Sequence, residues 1–219
     1  MSTLFDDALR FTLTQEGPGF VDDPRDPGGA TYRGITLALY RSWARSPYAN
    51  ATALRAISPS ELQAIYGACF WNPVRGDQLP PGIGLTIFDI AVNAGLREAA
   101  LALQRAARVA ADGSIGPDTL AAACRADAST LLHAIAAEQE HFYRSLKLFP
   151  VYGHGWLNRV AARLQTSLTV ATGLPSASRT THDAMRLTPV VAPSAPSPGT
   201  SADTLNAAEL TRVAGYQTA

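Results

Sequence analysis

Apolar residues recur at helical spacing over most of the first 172 positions, and the interruptions are as informative as the rule. Thr3, with Asp6 three positions on, is a helix start. The segment it opens carries Leu4, Ala8, Phe11 and Leu13 on a common side as far as Glu16-Gly17, and Pro18-Gly19 stops it. From 17 to 36 the chain turns to Gly, Pro and Asp, with short extended stretches at Phe20-Val21 and Thr31-Tyr32. That pattern predicts a small irregular β hairpin near residues 19–35. Thr36 caps a helix from Leu37 to Arg45. Ser58-Pro59-Ser60-Glu61 combines a cap, a proline at the first helical position and a glutamate at the third, opening a helix that runs to about Phe70-Trp71.

The second half is more regular. Ile83 to Ala94 is apolar almost all round, as expected of a helix buried in a core, and Gly95 ends it. A helix from Leu96 to Ala110 follows, with Leu96, Ala99, Ala100, Leu103 and Ala107 on one face. Asp112-Gly113 is a turn, Gly116-Pro117 opens a helix to about Cys124, and helices over 128–148 and 153–170 complete the set. Beyond them the periodicity fails. The run from Pro189 to Gly199 is rich in proline and serine, so 173–219 reads as a flexible, disordered tail with a possible short helix over 202–214. The fold class is therefore all-α, with one small irregular β segment and a disordered C-terminal tail.

Composition changes this picture little. The 219 residues, 47% of them hydrophobic, suit one good-sized domain or two small ones. Eighteen basic and eighteen acidic residues cancel, which argues against a generic nucleic-acid or anionic-membrane binder. Cys69 and Cys124 form at most one bridge and sit in apolar helical stretches, so buried free thiols are expected. Met1 to Arg10 carries Asp6 and Asp7 and lacks a basic n-region and an apolar core, and no apolar run reaches 18 residues. The expectation is synthesis in the cytoplasm without a signal peptide and no stable membrane insertion. His133, His141, His154 and His182 have no zinc-ligand spacing, so neither a metal nor another cofactor is expected.

Chemistry is concentrated between Glu16 and Thr36. A glutamate at the end of a helix leads into a glycine-rich loop with Asp22, Asp23 and Asp26, and then Thr31. Cleaving a glycosidic bond needs a carboxylic acid to protonate the leaving oxygen. It also needs an ionised carboxylate, or a positioned water, to support an oxocarbenium-like transition state. Inert turns use the same Asp-Pro and Pro-Gly pairs. A calcium loop is a second possibility, although the ligand spacing lacks the EF-hand pattern.

The order of residues resembles glycoside hydrolase family 108, the phage-type N-acetylmuramidases. Glu16-Gly17, Phe20-Val21-Asp22-Asp23-Pro24, Asp26-Pro27-Gly28-Gly29-Ala30-Thr31 and Gly34-Ile35-Thr36 carry the likeness. It continues through Phe70-Trp71-Asn72-Pro73, Gly76-Asp77 and Leu79-Pro80. The resemblance implies a helical, lysozyme-like fold and hydrolysis of the β-1,4 bond between N-acetylmuramic acid and N-acetylglucosamine in peptidoglycan. It places Glu16 on the family's general acid. Two departures stand out: Pro18 interrupts the usual Gly-Gly-Tyr, and Asp22 stands where Asn is usual. By analogy with other phage lysozymes, Asp26 and Thr31 would orient the water or steady the positive charge, with Asp23 as the alternative. Asp23, Tyr32, Trp71, Asp89 and Asn93 are candidate substrate-binding residues, and Trp71 is the aromatic expected to face the sugar. Asp89 and Asn93, one turn apart on an apolar helix, are equally readable as structural hydrogen-bonders, since a buried polar pair needs partners.

The second half has its own resemblance. Phe88-Asp89, Val92-Asn93-Ala94-Gly95, Leu103-Gln104, the run from Asp112 to Leu120, and Gly155-Trp156-Leu157-Asn158-Arg159-Val160 are similar to the predicted peptidoglycan-binding domain that follows this catalytic module. The expected division is a catalytic module over 1–80, a helical wall-binding module packed on it over 81–172, and the tail over 173–219. The expected partner is peptidoglycan, met by a monomer after release through a holin or an export system, so that the site of action is the cell wall. Two alternatives stay open: a lytic transglycosylase on the same fold, and a non-catalytic wall-binding or secretion-accessory protein.

Overall fold

Side-chain caps mark the starts of the helices in the first half of the chain. The structure, a computed structural model, describes residues 3–17, 19–22 and 29–173. Helix α1 (Leu4–Glu16) opens on a reciprocal box: Thr3 Oγ1 accepts the Asp6 N–H at 3.1 Å, and the Asp6 carboxylate accepts the Thr3 N–H at 2.9 Å. Ser58 and Glu61 repeat the device at α4 (Pro59–Tyr66), and Thr36 Oγ1 caps α2 (Leu37–Ala44) by accepting the Leu39 N–H. Between α2 and α4 lies a short helix, α3 (Ala51–Arg55), capped by Asn50. A π-helical turn, Gly67–Trp71, continues α4.

The Gly/Pro/Asp-rich segment forms three antiparallel strands of two residues each, β1 (Phe20–Val21), β2 (Thr31–Tyr32) and β3 (Ile35–Thr36), with β2 in the middle. Val21 pairs with Thr31, and Thr31 with Thr36. The third strand exceeds the expected hairpin. It exists because Arg33 and Gly34 turn the chain through positive φ, returning Ile35 to pair with Tyr32.

Helix α5 (Ile83–Ala94) is buried at every residue and packs against α1, α6 (Leu96–Ala106), α8 (Ala128–Ser145) and α9 (Phe149–Ala171). One apolar cluster runs from Ala8 to Ile135, so the segments before and after residue 80 share a core. A smaller cluster gathers Tyr143, Trp156 and Val160 where α8 meets α9. Helix α7 (Pro117–Arg125) packs on α6.

Two expectations need correcting. Helix α6 stops at Ala106, short of residue 110, because Arg108 adopts a left-handed conformation and closes a Schellman-type end: its N–H reaches the Arg105 carbonyl, and the Val109 N–H reaches that of Gln104. Both cysteines are free, yet Cys124 is exposed and Cys69 only half-buried; partial burial pushes the Cys69 thiol up. Among the described residues, no helix is long and apolar enough to cross a membrane, and no group of three or more His, Cys, Asp or Glu is placed to hold a metal. The tail, with its possible helix over 202–214, lies outside the described residues, as do Asp23 and Asp26.

Candidate active site

Glu16 is the last residue of α1, and the chain leaves it through Gly17 at φ +73° toward the small sheet. Its side chain has no solvent-exposed surface. Carboxylate Oε1 accepts a hydrogen bond from Arg159 Nη1 at 2.8 Å, an ion pair between residues 143 positions apart. The other oxygen, Oε2, faces Gly34 of the β2–β3 turn, where a Cβ would sit 3.0 Å from it and 2.6 Å from the Tyr66 hydroxyl. That hydroxyl donates to the Arg33 carbonyl at 2.7 Å, tying α4 to the turn. Burial, then the nearby Glu16 charge, push the Tyr66 phenol well above its ordinary range, so it stays a neutral donor.

Arg159 is itself held. Its Nε and Nη2 grip both oxygens of Asp89, at 3.1 and 2.7 Å, in the two-pronged geometry that suits guanidinium to carboxylate. Asp89 also accepts from Thr12 Oγ1 at 2.9 Å and Arg163 Nη1 at 3.0 Å, and Arg163 Nη2 donates to Gln139 Oε1 at 2.8 Å. Burial opposes charge on Asp89, but the two guanidiniums outweigh it and hold the carboxyl below the ordinary carboxylate range. Helices α1, α5, α8 and α9 thus meet in a buried cluster of two carboxylates and two guanidiniums.

The remaining candidates fall elsewhere. Thr31 is buried in the middle strand, and Tyr32 beside it is half-buried, with the Arg33 guanidinium 5.6 Å from its ring centroid. Trp71 does not face a sugar: it is 3% exposed, wedged between Phe5 and Phe88, with Nε1 donating to Asp77 at 3.1 Å. The indole lies at the end of the π-helical turn and packs into the core. Asp89 and Asn93 are 0% and 1% exposed, and their partners are internal; the Tyr143 hydroxyl donates to Asn93 Oδ1. They are the structural hydrogen-bonders of the two readings, not substrate contacts.

Sequence reasoning gave Arg159, Arg163 and Gly34 no role at the site, although Arg159 and Gly34 stand in the motifs that carry the resemblances. A signal was present for the arginines. Arg159 and Arg163 stand one turn apart on the stripe of α9 that buries Trp156, Val160 and Ser167, and two cations on an apolar stripe require a buried anion.

Two family models cover most of the described chain. Residues 9–95 match the family model for glycosyl hydrolase 108, and residues 98–161 match the model described as a predicted peptidoglycan domain. The first match takes in Glu16 and Asp89 and runs through α5; the second takes in Arg159. No curated protein matches the chain. A solved structure, that of Brucella abortus SagA, is 33% identical, with a TM-score of 0.69 over 76% of this chain and 95% of its own. Taken with the acid-bearing helix end and sheet, these likenesses establish that the chain belongs to the glycosyl hydrolase 108 family and is a glycoside hydrolase of peptidoglycan.

Proposed function

We propose that the protein is an N-acetylmuramidase that cleaves the β-1,4 bond between N-acetylmuramic acid and N-acetylglucosamine, with Glu16 as general acid. The observation that carries this reading is the setting of Glu16: a carboxyl at a helix end, shut off from bulk water, with one oxygen held by Arg159. For the reaction Glu16 takes up a proton while its Oε1 stays against the Arg159 guanidinium. That proton passes to the glycosidic oxygen as the bond from C1 breaks, leaving its electron pair on the oxygen. Water then adds at C1 and gives up its proton to a carboxylate. Asp26 and Thr31 are the proposed water-positioning pair, with Asp23 as the alternative carboxylate and Tyr32, of the middle strand, as a proposed sugar contact. The segment matched as a peptidoglycan domain would hold the glycan strand, and a monomer reaching the wall through a holin-type lesion or an export system would suffice.

The test is E16Q, assayed on purified peptidoglycan with its melting temperature recorded. Loss of the acid is expected to lower the rate at least about 10²-fold without unfolding the protein. Wall lysis unaffected by the change refutes the assignment. Mass spectrometry of the products supplies the second readout: reducing muramic-acid ends are expected, and 1,6-anhydro ends would make the enzyme a lytic transglycosylase.

A further inference from the structure

Net stability does not explain the buried ionic cluster. Removing two carboxylates and two guanidiniums from water costs several kcal/mol per ion, and well-packed apolar residues do as well or better in such places. Asp89 already has a buried cation in Arg163 and a neutral donor in Thr12. What Arg159 adds is a third bond, aimed out of the cluster: with Nε and Nη2 fixed on Asp89, the rigid guanidinium plane leaves Nη1 one direction, toward Glu16 Oε1. Arg159 belongs to α9, within the stretch matched as a peptidoglycan domain, whereas Glu16 and Asp89 belong to the glycosyl hydrolase match.

We infer that Arg159 is a positioning residue of the reaction, and that the segment matched as a peptidoglycan domain is therefore part of the catalytic unit as well as a place to hold glycan. The guanidinium fixes where the Glu16 carboxyl sits and how it is turned, and Asp89 fixes the guanidinium. Lysine cannot replace it, because one ammonium on a flexible stem does not span two carboxylates in a plane. The inference rests on Glu16 being the acid, so the experiment separates the two.

The full-length chain is made as wild type, R159M, R159K, E16Q and E16Q/R159M. Each is assayed for kcat and KM on soluble peptidoglycan oligomers from about pH 4 to pH 8, with melting temperatures alongside. R159M is expected to lower kcat by about 10²-fold with KM within about threefold, the signature of lost orientation rather than lost binding. R159K keeps the charge but not the span and is expected to lose about tenfold in kcat. Added to E16Q, R159M costs less than about threefold, because it acts through the group already removed.

The inference is overturned if folded R159M keeps the wild-type kcat, if its loss only tracks the unfolded fraction, or if it costs as much in E16Q as in wild type. Should R159M fail to fold, R159K decides by the same kcat and KM readouts. Full activity of E16Q would instead remove the acid assignment, a separate failure.

Discussion

A methyl group at Gly34 should be among the most damaging small changes to the site. The residue sits at φ +78°, where an L side chain is strained by about 1–2 kcal/mol. Its Cβ would lie 2.6 Å from the Tyr66 hydroxyl and 3.0 Å from both Cγ and Oε2 of Glu16. Tyr66 cannot step aside: it is fully buried, its ring lies against Phe70 and Phe88 with centroids 5.8 and 6.1 Å away, and its hydroxyl is bonded to the Arg33 carbonyl. Overpacking of this kind costs about 1–3 kcal/mol, so G34A should lose about 3 kcal/mol in all. For a chain of this size that corresponds to a fall of about 6–12 °C in Tm. G173A is the control, since Gly173 has φ +66° and nothing within 4 Å of the added Cβ. It should lose only the backbone part, about 1 kcal/mol. Thermal and urea unfolding of both variants give the stabilities, and kcat on peptidoglycan shows whether displacing Glu16 costs activity beyond the unfolded fraction. Equal stability losses in G34A and G173A would refute the steric account.

Two further predictions follow from the charges. The Asp89 carboxyl is held below its ordinary range in the fold, so its stabilisation is complete above the unfolded pKa and drains as pH falls below about 4. Asp6, Glu61, Asp112 and Asp127, each held low by local hydrogen bonds, act in the same direction. Unfolding measured against pH should show an acid limb that is flattened in D89N, a variant about 3–5 kcal/mol less stable at pH 7; a limb of unchanged steepness in D89N would contradict the ion-pair reading. Glu98 is the opposite case. Burial pushes its carboxyl up despite Arg105 at 3.7 Å, and its Oε1 is buried without a hydrogen-bond partner. A raised acid destabilises the fold once pH passes its folded pKa, so E98Q should gain up to about 1 kcal/mol at pH 7, and the gain should vanish below about pH 4. A loss at pH 7 would show that the Arg105 contact outweighs burial.

Much of the site can be read along the chain because it is made by near neighbours. Thr3 with Asp6 and Ser58 with Glu61 are contacts between residues three apart, so each is set by its own few residues of chain. The complete burial of α5 follows from its all-round apolar pattern, and Glu16 stands out as a carboxyl at a helix end before a glycine-rich loop. Other features leave no such mark. The ends of α2 and α6 place arginines, not glycines, at positive φ, Arg45 and Arg108, and the turn before β3 sets Arg33 there beside Gly34. A composition cue tuned to glycine passes over them.

What tertiary structure alone decided is who meets whom. Asp89 and Arg159 lie 70 positions apart, and Glu16 and Arg159 lie 143 apart. Nothing local to any of the three encodes the meeting, which arises where α1, α5 and α9 pack. Trp71 is inside for a like reason: it packs between Phe5 of α1 and Phe88 of α5, and an apolar side chain reads the same in sequence whether it faces a core or a sugar. The chain order therefore determined the helices, the sheet and the identity of the candidate acid, because each depends on contacts within a few residues. The surroundings of that acid depend on how four helices stack, and a one-dimensional pattern does not contain that angle or that distance.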